Sequence, residues 1–359
     1  MPITAQQRSS RYFALYGNSK RLAWDPAAID LAVDREHWAR IRRDHAREQY
    51  DEQIHRLCSL FYRGEESVTD TLSPFLGAVT RLGLGIDQEM YLTSQLYEEA
   101  KHFEFFARYF AEVFDDDGTT TARQMTPEPQ AVLVDDLAEV TERLRREDDP
   151  AALLSCYAEA VTHYMGVVEA MLARTGYVGA QDALQARGWL PGLQEGFRLI
   201  RRDEGRHVAY GMLVISELCT THPQLRGVVQ STMERHLPNV LATVSSFAFK
   251  FPIVDLEKLT NFSLAQYQRF MSAAGLGGDA IDLAALTVDD CRGLRRRAGH
   301  RQRRHQHHAP SLGLQGEYAM HHSVSGYHPA ARRRRGTHWR QKQRVILHPV
   351  STHHDANHR

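Results

Sequence analysis

Two stretches, LYEEAKHFEFF (residues 96–106) and LIRRDEGRHVAY (199–210), each carry a Glu-x-x-His unit inside a segment that otherwise reads as helix. The units are Glu99–His102 and Glu204–His207. A carboxylate and an imidazole one turn apart are costly to bury unless something compensates the charge. Each unit also has an upstream glutamate: Glu65 lies 34 residues before Glu99, and Glu169 lies 35 before Glu204. An antiparallel helical hairpin accounts for that spacing, because two half-helices of roughly 15 residues and a short turn return the chain to the same level. Residues three apart share a helix face, so each Glu of a unit stands beside its His. Two such hairpins bring four carboxylates and two imidazoles into one bundle core. That much negative charge demands cations, and oxygen-rich ligation with one His per metal favours iron or manganese over thiolate-seeking metals.

A lone Glu-x-x-His on a helix is a weak signal, since surface salt-bridging is its ordinary explanation. Two copies with matched upstream glutamates are a strong one. The set is that of ferritin-like dimetal carboxylate bundles, so the expected fold is an all-α, ferritin-like four-helix bundle with additional helices. The expected metal ligands are Glu65, Glu99, His102, Glu169, Glu204 and His207. Some neighbours compete. Glu66 stands beside Glu65, and one of the two is a solvated or outer group. Glu98 stands beside Glu99, but only Glu99 is three residues from His102. Asp203 is positioned to accept a hydrogen bond from a ligand histidine, with an exposed carboxylate as the plain alternative. His55, His163 and His236 lack ligand-like companions and read as packing or surface histidines.

The rest of the chain is organised around these hairpins. Helical segments are expected over roughly 45–80, 86–114, 128–146, 149–187, 192–220 and 223–248, separated by Gly-, Pro- and Asp-rich breaks. No β-hairpin or βαβ pattern intervenes. Residues 1–33 read as an N-terminal extension of turns and short contacts, 34–290 as the helical domain, and 291–359 as a tail. The tail holds 15 Arg and Lys against two acids, Glu317 and Asp355, leaving 29 basic and 42 acidic side chains before it. Zero net charge therefore hides an acidic body and a basic, His-rich tail that lacks the apolar periodicity of a packed element. Cys58, Cys156, Cys219 and Cys291 form no disulfide-like pattern, and no signal peptide or 18-residue apolar run occurs. A reducing, cytoplasmic setting is expected.

The motifs GEESVTD, YEEAKH, VEAMLARTGY and DEGRH, with GNSKRLAWDPAAIDLAVDREHW near the N-terminus, resemble those of the ribonucleotide-reductase small-subunit-like ligand-binding oxidases. The resemblance runs in order over residues 15–290. It implies a homodimer with manganese held by Glu65, Glu99 and His102 and iron held by Glu169, Glu204 and His207, a di-iron pair being the alternative. It implies O₂ activation, a two-electron oxidation, and a long-chain fatty acid or similar hydrophobic ligand in an apolar tunnel, with the electron donor unspecified. It also implies an ether cross-link between Val68 and Tyr164, and a second tyrosine, Tyr177, near the site. Helical geometry places Val68 near the face of Glu65. It does not place Tyr164 on the face of Glu169, because five residues are about 140° out of phase on a 3.6-residue helix.

The rival within the same group is the reductase small subunit itself. That protein usually keeps a radical-bearing tyrosine four residues after the first ligand His, and Phe106 stands there, with no O–H to lose. The tail has no recognisable version of the reductase's C-terminal docking peptide. A storage ferritin is a short single bundle, and this body is too long for that design. A reading of another class starts from the tail, whose Arg clusters and His runs suit nucleic acid or metal. Arg runs without aromatic interleaving are non-specific, so nucleic acid is not the expected partner. The abrupt composition also resembles a gene's 3′ end read in a shifted frame, an idea that an intact frame on resequencing would sink.

Overall fold

The structure, a computed structural model, describes residues 4–277. The expected end of the helical domain at 278–290 and the expected tail at 291–359 lie outside the described residues. Within them there is no strand, and no helix is long and apolar enough to cross a membrane. The principal helices are α1 (Arg11–Arg21), α2 (Ala32–Asp44), α3 (Tyr50–Thr71), α4 (Ser73–Leu82), α5 (Ile86–Tyr109), α6 (Pro150–Val161), α7 (Arg174–Gln185), α8 (Pro191–Thr221), α9 (Leu225–Ser245) and α10 (Leu256–Ala273). Between α6 and α7 the rod continues without a break through a π-helical segment, Thr162–Ala173.

Local chemistry explains the boundaries. The helix expected over 45–80 is divided at Leu72, because Pro74 has no N–H to carry the ladder back to Asp70. The turn into α5 uses Gly83 at φ 64° and Gly85 at φ 122°, backbone angles that a side chain resists. At the start of α8 the first amides need acceptors, and they find them in α2. The buried Asp34 carboxylate accepts from Gly192 N and Leu193 N, both at 2.8 Å, and from the Tyr109 hydroxyl at 2.9 Å. Burial alone pushes the Asp34 carboxyl up, and these three donors pull against it. This side chain ties α2 to the helix that carries Glu204 and His207.

The N-terminal segment departs from its reading as turns. Residues 11–21 form α1, capped where Ser10 Oγ accepts from Phe13 N at 3.0 Å. Its sequence has weak periodicity by itself; it is helical because it packs along α5, burying Tyr12 and Ser19. The bundle pairs α3 with α5 and the π-helical segment with α8. Two apolar clusters fill it. One contains Val68, Tyr164 and Val168; the other contains Phe61, Phe105, Phe106 and Tyr177.

Candidate metal centre

Between those clusters, four helical segments each aim acidic side chains inward. Glu65 comes from α3, Glu99 and His102 from α5, Glu169 from the π-helical segment, and Glu204 and His207 from α8. All six are buried. Their ligand atoms fall into two groups, Glu65–Glu99–His102–Glu204 and Glu99–Glu169–Glu204–His207, each with its atoms within 4.8 Å of one another. Glu99 and Glu204 belong to both groups, so they are placed to bridge two ions. His102 Nδ1 lies 3.5 Å from Glu65, 3.5 Å from Glu99 and 3.4 Å from Glu204. His207 Nδ1 lies 2.9 Å from Glu99, 3.7 Å from Glu169 and 3.6 Å from Glu204.

Hydrogen bonding tests whether cations fit. Glu99 Oε2, Glu169 Oε2, Glu204 Oε2, His102 Nδ1 and His207 Nδ1 are buried without any hydrogen-bond partner. Each orphaned buried atom costs about 1–3 kcal/mol, and five of them converge here. Ligands about 2.0–2.2 Å from a first-row cation lie within roughly 4.4 Å of each other, close to the spacing found. The residues fit a metal pair. All donors are carboxylate or imidazole; Cys58, Cys156 and Cys219 are free thiols elsewhere, which disfavours a thiolate metal.

The opposite ring nitrogens explain how the histidines are held. His102 Nε2 faces Asp203 Oδ2 at 3.3 Å, and His207 Nε2 faces Glu98 Oε2 at 3.0 Å. Each outer carboxylate therefore orients the histidine of the other Glu-x-x-His unit, leaving Nδ1 free toward the centre. Asp203 Oδ2 also accepts from Lys101 Nζ and from Trp24 Nε1, each at 2.7 Å, and Arg206 bonds Asp203 Oδ1 at 2.7 Å and Glu98 Oε1. Burial would raise the Asp203 carboxyl, but His102 and then Lys101 hold it far below the usual range. Glu98 was missed as an orienting group in the sequence. The signal was available: EEAKH and DEGRH share the order acid, acid, small, base, His. Glu66 points away and pairs with Arg63.

Two tyrosines lock the inner carboxylates. Tyr177 donates to Glu65 Oε1 and Tyr164 donates to Glu99 Oε1, both at 2.6 Å. Gln95 Nε2 reaches Glu99 Oε1 at 3.5 Å and the Tyr164 oxygen at 3.4 Å. The phase problem at Tyr164 disappears in this backbone. π-Helical hydrogen bonds run from i to i+5, so residues five apart come together as they do not on a 3.6-residue helix. Val68 is buried and lines an apolar pocket whose floor is Glu65, Glu99, Glu169 and Glu204. Phe106 is fully buried and stacks on Phe61, with ring centroids 5.6 Å apart.

In the metal-free centre, burial pushes Glu65 up to about 7, with His102 opposing. Burial would also raise Glu99, but the charges of His207 and then His102 hold it below the ordinary range. Both imidazoles are raised well above their usual value: burial works against the cation, and the carboxylates, Glu65 for His102 and Glu99 for His207, outweigh it. Protons thus stand where cations fit.

A family model described as "Ribonucleotide reductase, small chain" matches residues 7–273. The chain belongs to the ribonucleotide reductase small chain family. Solved structures share its fold. One variant of the R2-like ligand-binding oxidase, with an anaerobically reconstituted Mn/Fe cofactor, superposes with a TM-score of 0.68 at 24% identity, covering 75% of this chain and 95% of its own. A second variant, aerobically reconstituted with Mn/Fe, gives 0.67 at 24% identity over 74% of this chain and 94% of its own. A third, holding a non-activated Mn/Mn cofactor, gives 0.68 at 24% identity over 74% and 93%. Within this family fold, the buried carboxylates and imidazoles of the present chain are able to hold a metal pair.

Proposed function

We propose that this chain is an O₂-activating oxidase with a manganese–iron pair, and that it performs a two-electron oxidation on a hydrophobic, fatty-acid-like ligand. The observation that carries the reading is the apolar pocket that opens onto the ligand level. Leu60, Phe61, Leu133, Val168 and Leu172 form its walls, and the metal-binding carboxylates form its floor. Apolar walls with one charged end suit a molecule with an alkyl body and a single polar head. Four carboxylates repel an anionic head until cations offset them, so ligand binding is expected to require metal.

When bound, the metals supply electrons to O₂ and the oxidising power to take hydrogen from a C–H bond. The chain's own residues do the positioning. Glu65, Glu99, His102, Glu169, Glu204 and His207 would hold the metals, with the histidine orientations set by Asp203 and Glu98, and Tyr177 and Tyr164 fix two carboxylates by hydrogen bonds. The packed aromatic cluster of Phe61, Phe106, Tyr177 and Phe197 excludes water on one side. Val68 and Tyr164 are the pair for an ether cross-link. One hydrogen leaves the valine carbon and one leaves the phenol, with the two electrons passing to O₂. Glu99 Oε1, 2.6 Å from the Tyr164 oxygen, is in place to take the phenolic proton. A homodimer and a cytoplasmic setting belong to the same reading.

Adding Mn(II) and Fe(II) to metal-free protein under air, followed by peptide mass spectrometry, tests it. The expected result is a linked peptide pair containing Val68 and Tyr164, lighter by two hydrogens. The family also contains reductase subunits, and unlinked peptides beside an oxidised metal signal would favour that second reading. Phe106 argues against a stored tyrosyl radical at its position, since a fully buried phenyl ring has no proton to lose.

A further inference from the structure

Four buried tyrosines stand together on the His207 side of the centre: Tyr12, Tyr91, Tyr157 and Tyr210. Tyr210 lies three residues after His207 on α8, one turn along the same face. Its ring stacks on Tyr91 with centroids 4.6 Å apart and meets Tyr12 edge-on at 5.5 Å. Tyr91 lies seven residues before Glu98, two turns along α5. Phenylalanine would fill this space as well. The Tyr91 hydroxyl is buried with no hydrogen-bond partner, a desolvation penalty that a plain packing role does not need.

The hydroxyls differ in what can take their protons, and that sets a direction. Tyr91 has no acceptor. Tyr210 meets only the Tyr157 hydroxyl at 3.0 Å and the Gln88 amide oxygen at 3.2 Å, neither of them a base. Tyr12 alone donates to a carboxylate, Glu217 Oε2 at 2.6 Å, and Glu217 is exposed to solvent. Burial and then the hydrogen bond to Glu217 keep the Tyr12 phenol protonated far into the alkaline range. Losing an electron from that phenol therefore requires a proton acceptor, and one is in contact. Glu217 is ten residues from His207, so the route covers about 15 Å of helix.

We propose that Tyr210 and Tyr12 form a one-electron path between the metal centre and the surface, with Tyr12 as its outer terminus and Glu217 as the proton acceptor. The proposal rests on the oxidase reading, which supplies the oxidant. When the oxidised centre has no organic ligand to act on, the Tyr12 phenol gives up one electron, which passes through Tyr210 and reduces the centre by one. The phenolic proton moves to Glu217 Oε2, leaving a Tyr12 phenoxyl radical. A one-electron reductant of the thiol or ascorbate class restores the phenol, with the proton returning from Glu217. The path is distinct from the Trp24–Asp203–His102 contacts on the other side of the centre.

The test is freeze-quench electron paramagnetic resonance of protein loaded with Mn(II) and Fe(II) and mixed with O₂ without organic ligand, with metal oxidation followed optically in the same samples. The expected result is a phenoxyl signal that is lost in Tyr12→Phe and in Tyr210→Phe, diminished in Glu217→Gln and retained in Tyr157→Phe. Peptide mapping after repeated cycles should find oxidative modification at Tyr12 in the parent and at inner tyrosines in Tyr12→Phe. An oxidised centre without any phenoxyl signal, or a signal equal in parent and Tyr12→Phe, overturns the path and leaves the oxidase reading standing. A centre that does not react with O₂ overturns both. Should Tyr210→Phe fail to fold, Tyr12→Phe and Glu217→Gln still decide, since both act at the surface end.

Discussion

Around His102 the carboxylate ring is backed by a regular helix: Glu65 rides on α3, with Tyr177 bonded to it and Phe61 stacked on Tyr177 at 4.0 Å. Around His207 the corresponding glutamate, Glu169, rides on a π-helical segment, and its Oε2 has no hydrogen-bond partner. The outer braces differ too. Asp203 gathers Lys101, Trp24 and Arg206, whereas Glu98 gathers Arg206 and, at 3.5 Å, Ser19. Two nearly identical five-residue motifs thus produce one tightly braced half and one with a freer carboxylate. The motifs set the ligand types, and the third helix sets how firmly each half is held. Such inequality is what a protein needs to treat its two metal positions differently.

The comparison breaks most completely at residues that both halves share. Glu204→Ala is expected to drop metal content from about two ions per chain to near none, while Glu65→Ala and Glu169→Ala each retain about one. Elemental analysis after gel filtration reads this directly. Two ions retained in Glu204→Ala would show that the halves do not share that ligand.

The crossed braces come next. Asp203→Asn should weaken binding at the His102 half, and Glu98→Gln at the His207 half, by about 10–100-fold each. Competition against a chelating dye measures it. Weakening of the half on the same motif as the substituted acid would contradict the crossed arrangement.

Packing behind each half gives a smaller effect. A Cβ on Gly196 would stand 2.0 Å from the Phe105 ring, and one on Gly166 would stand 2.9 Å from the Phe270 ring. Overpacking of this kind costs about 1–3 kcal/mol, partly offset by about 1 kcal/mol of helix propensity gained over glycine. Gly196→Ala should therefore lower the melting temperature by a few degrees, at about 2–4 °C per kcal/mol, and by more than Gly166→Ala. Equal melting temperatures would mean that Phe105 relaxes freely.

The smallest expected effect is on pH dependence. His102 and His207 have raised folded values, so their contribution to metal-free stability is complete below about 6.5 and is lost as pH rises through the folded values. Glu65, pushed up by burial to about 7, adds to the same fall between the ordinary carboxylate value and neutrality. Glu99 and Asp203 work at the other end: their contribution is lost only as pH falls through their depressed values. Melting of the metal-free chain should thus decline above neutrality, while metal affinity rises with pH because cations displace those protons. A metal-free chain that gains stability on alkalinisation would contradict this protonation pattern.

The ligand types and their levels were legible along the chain because a helix has a fixed rise. Two Glu-x-x-His units, each about 34 residues after a glutamate, carry their hairpin register in the numbering itself. The all-α class and most helix limits were legible for the same reason: periodicity, glycine and proline act locally. Other features came from contacts between distant segments. Helix α1 exists because it packs on α5, and Asp34 caps a helix 158 residues away. Glu98 turns toward His207, 109 residues distant, and its match to Asp203 in the paired motifs EEAKH and DEGRH is its one local sign. Tyr164 is the sharpest case. Its distance from Glu169 is wrong for a 3.6-residue helix, and it reaches the centre because that helix is widened where it is buried against α8, α9 and α10. Local geometry repeats along the backbone and can be counted residue by residue. Helix widening, the turning of one carboxylate and the bracing of a histidine are decided by neighbours that only the folded chain brings into contact.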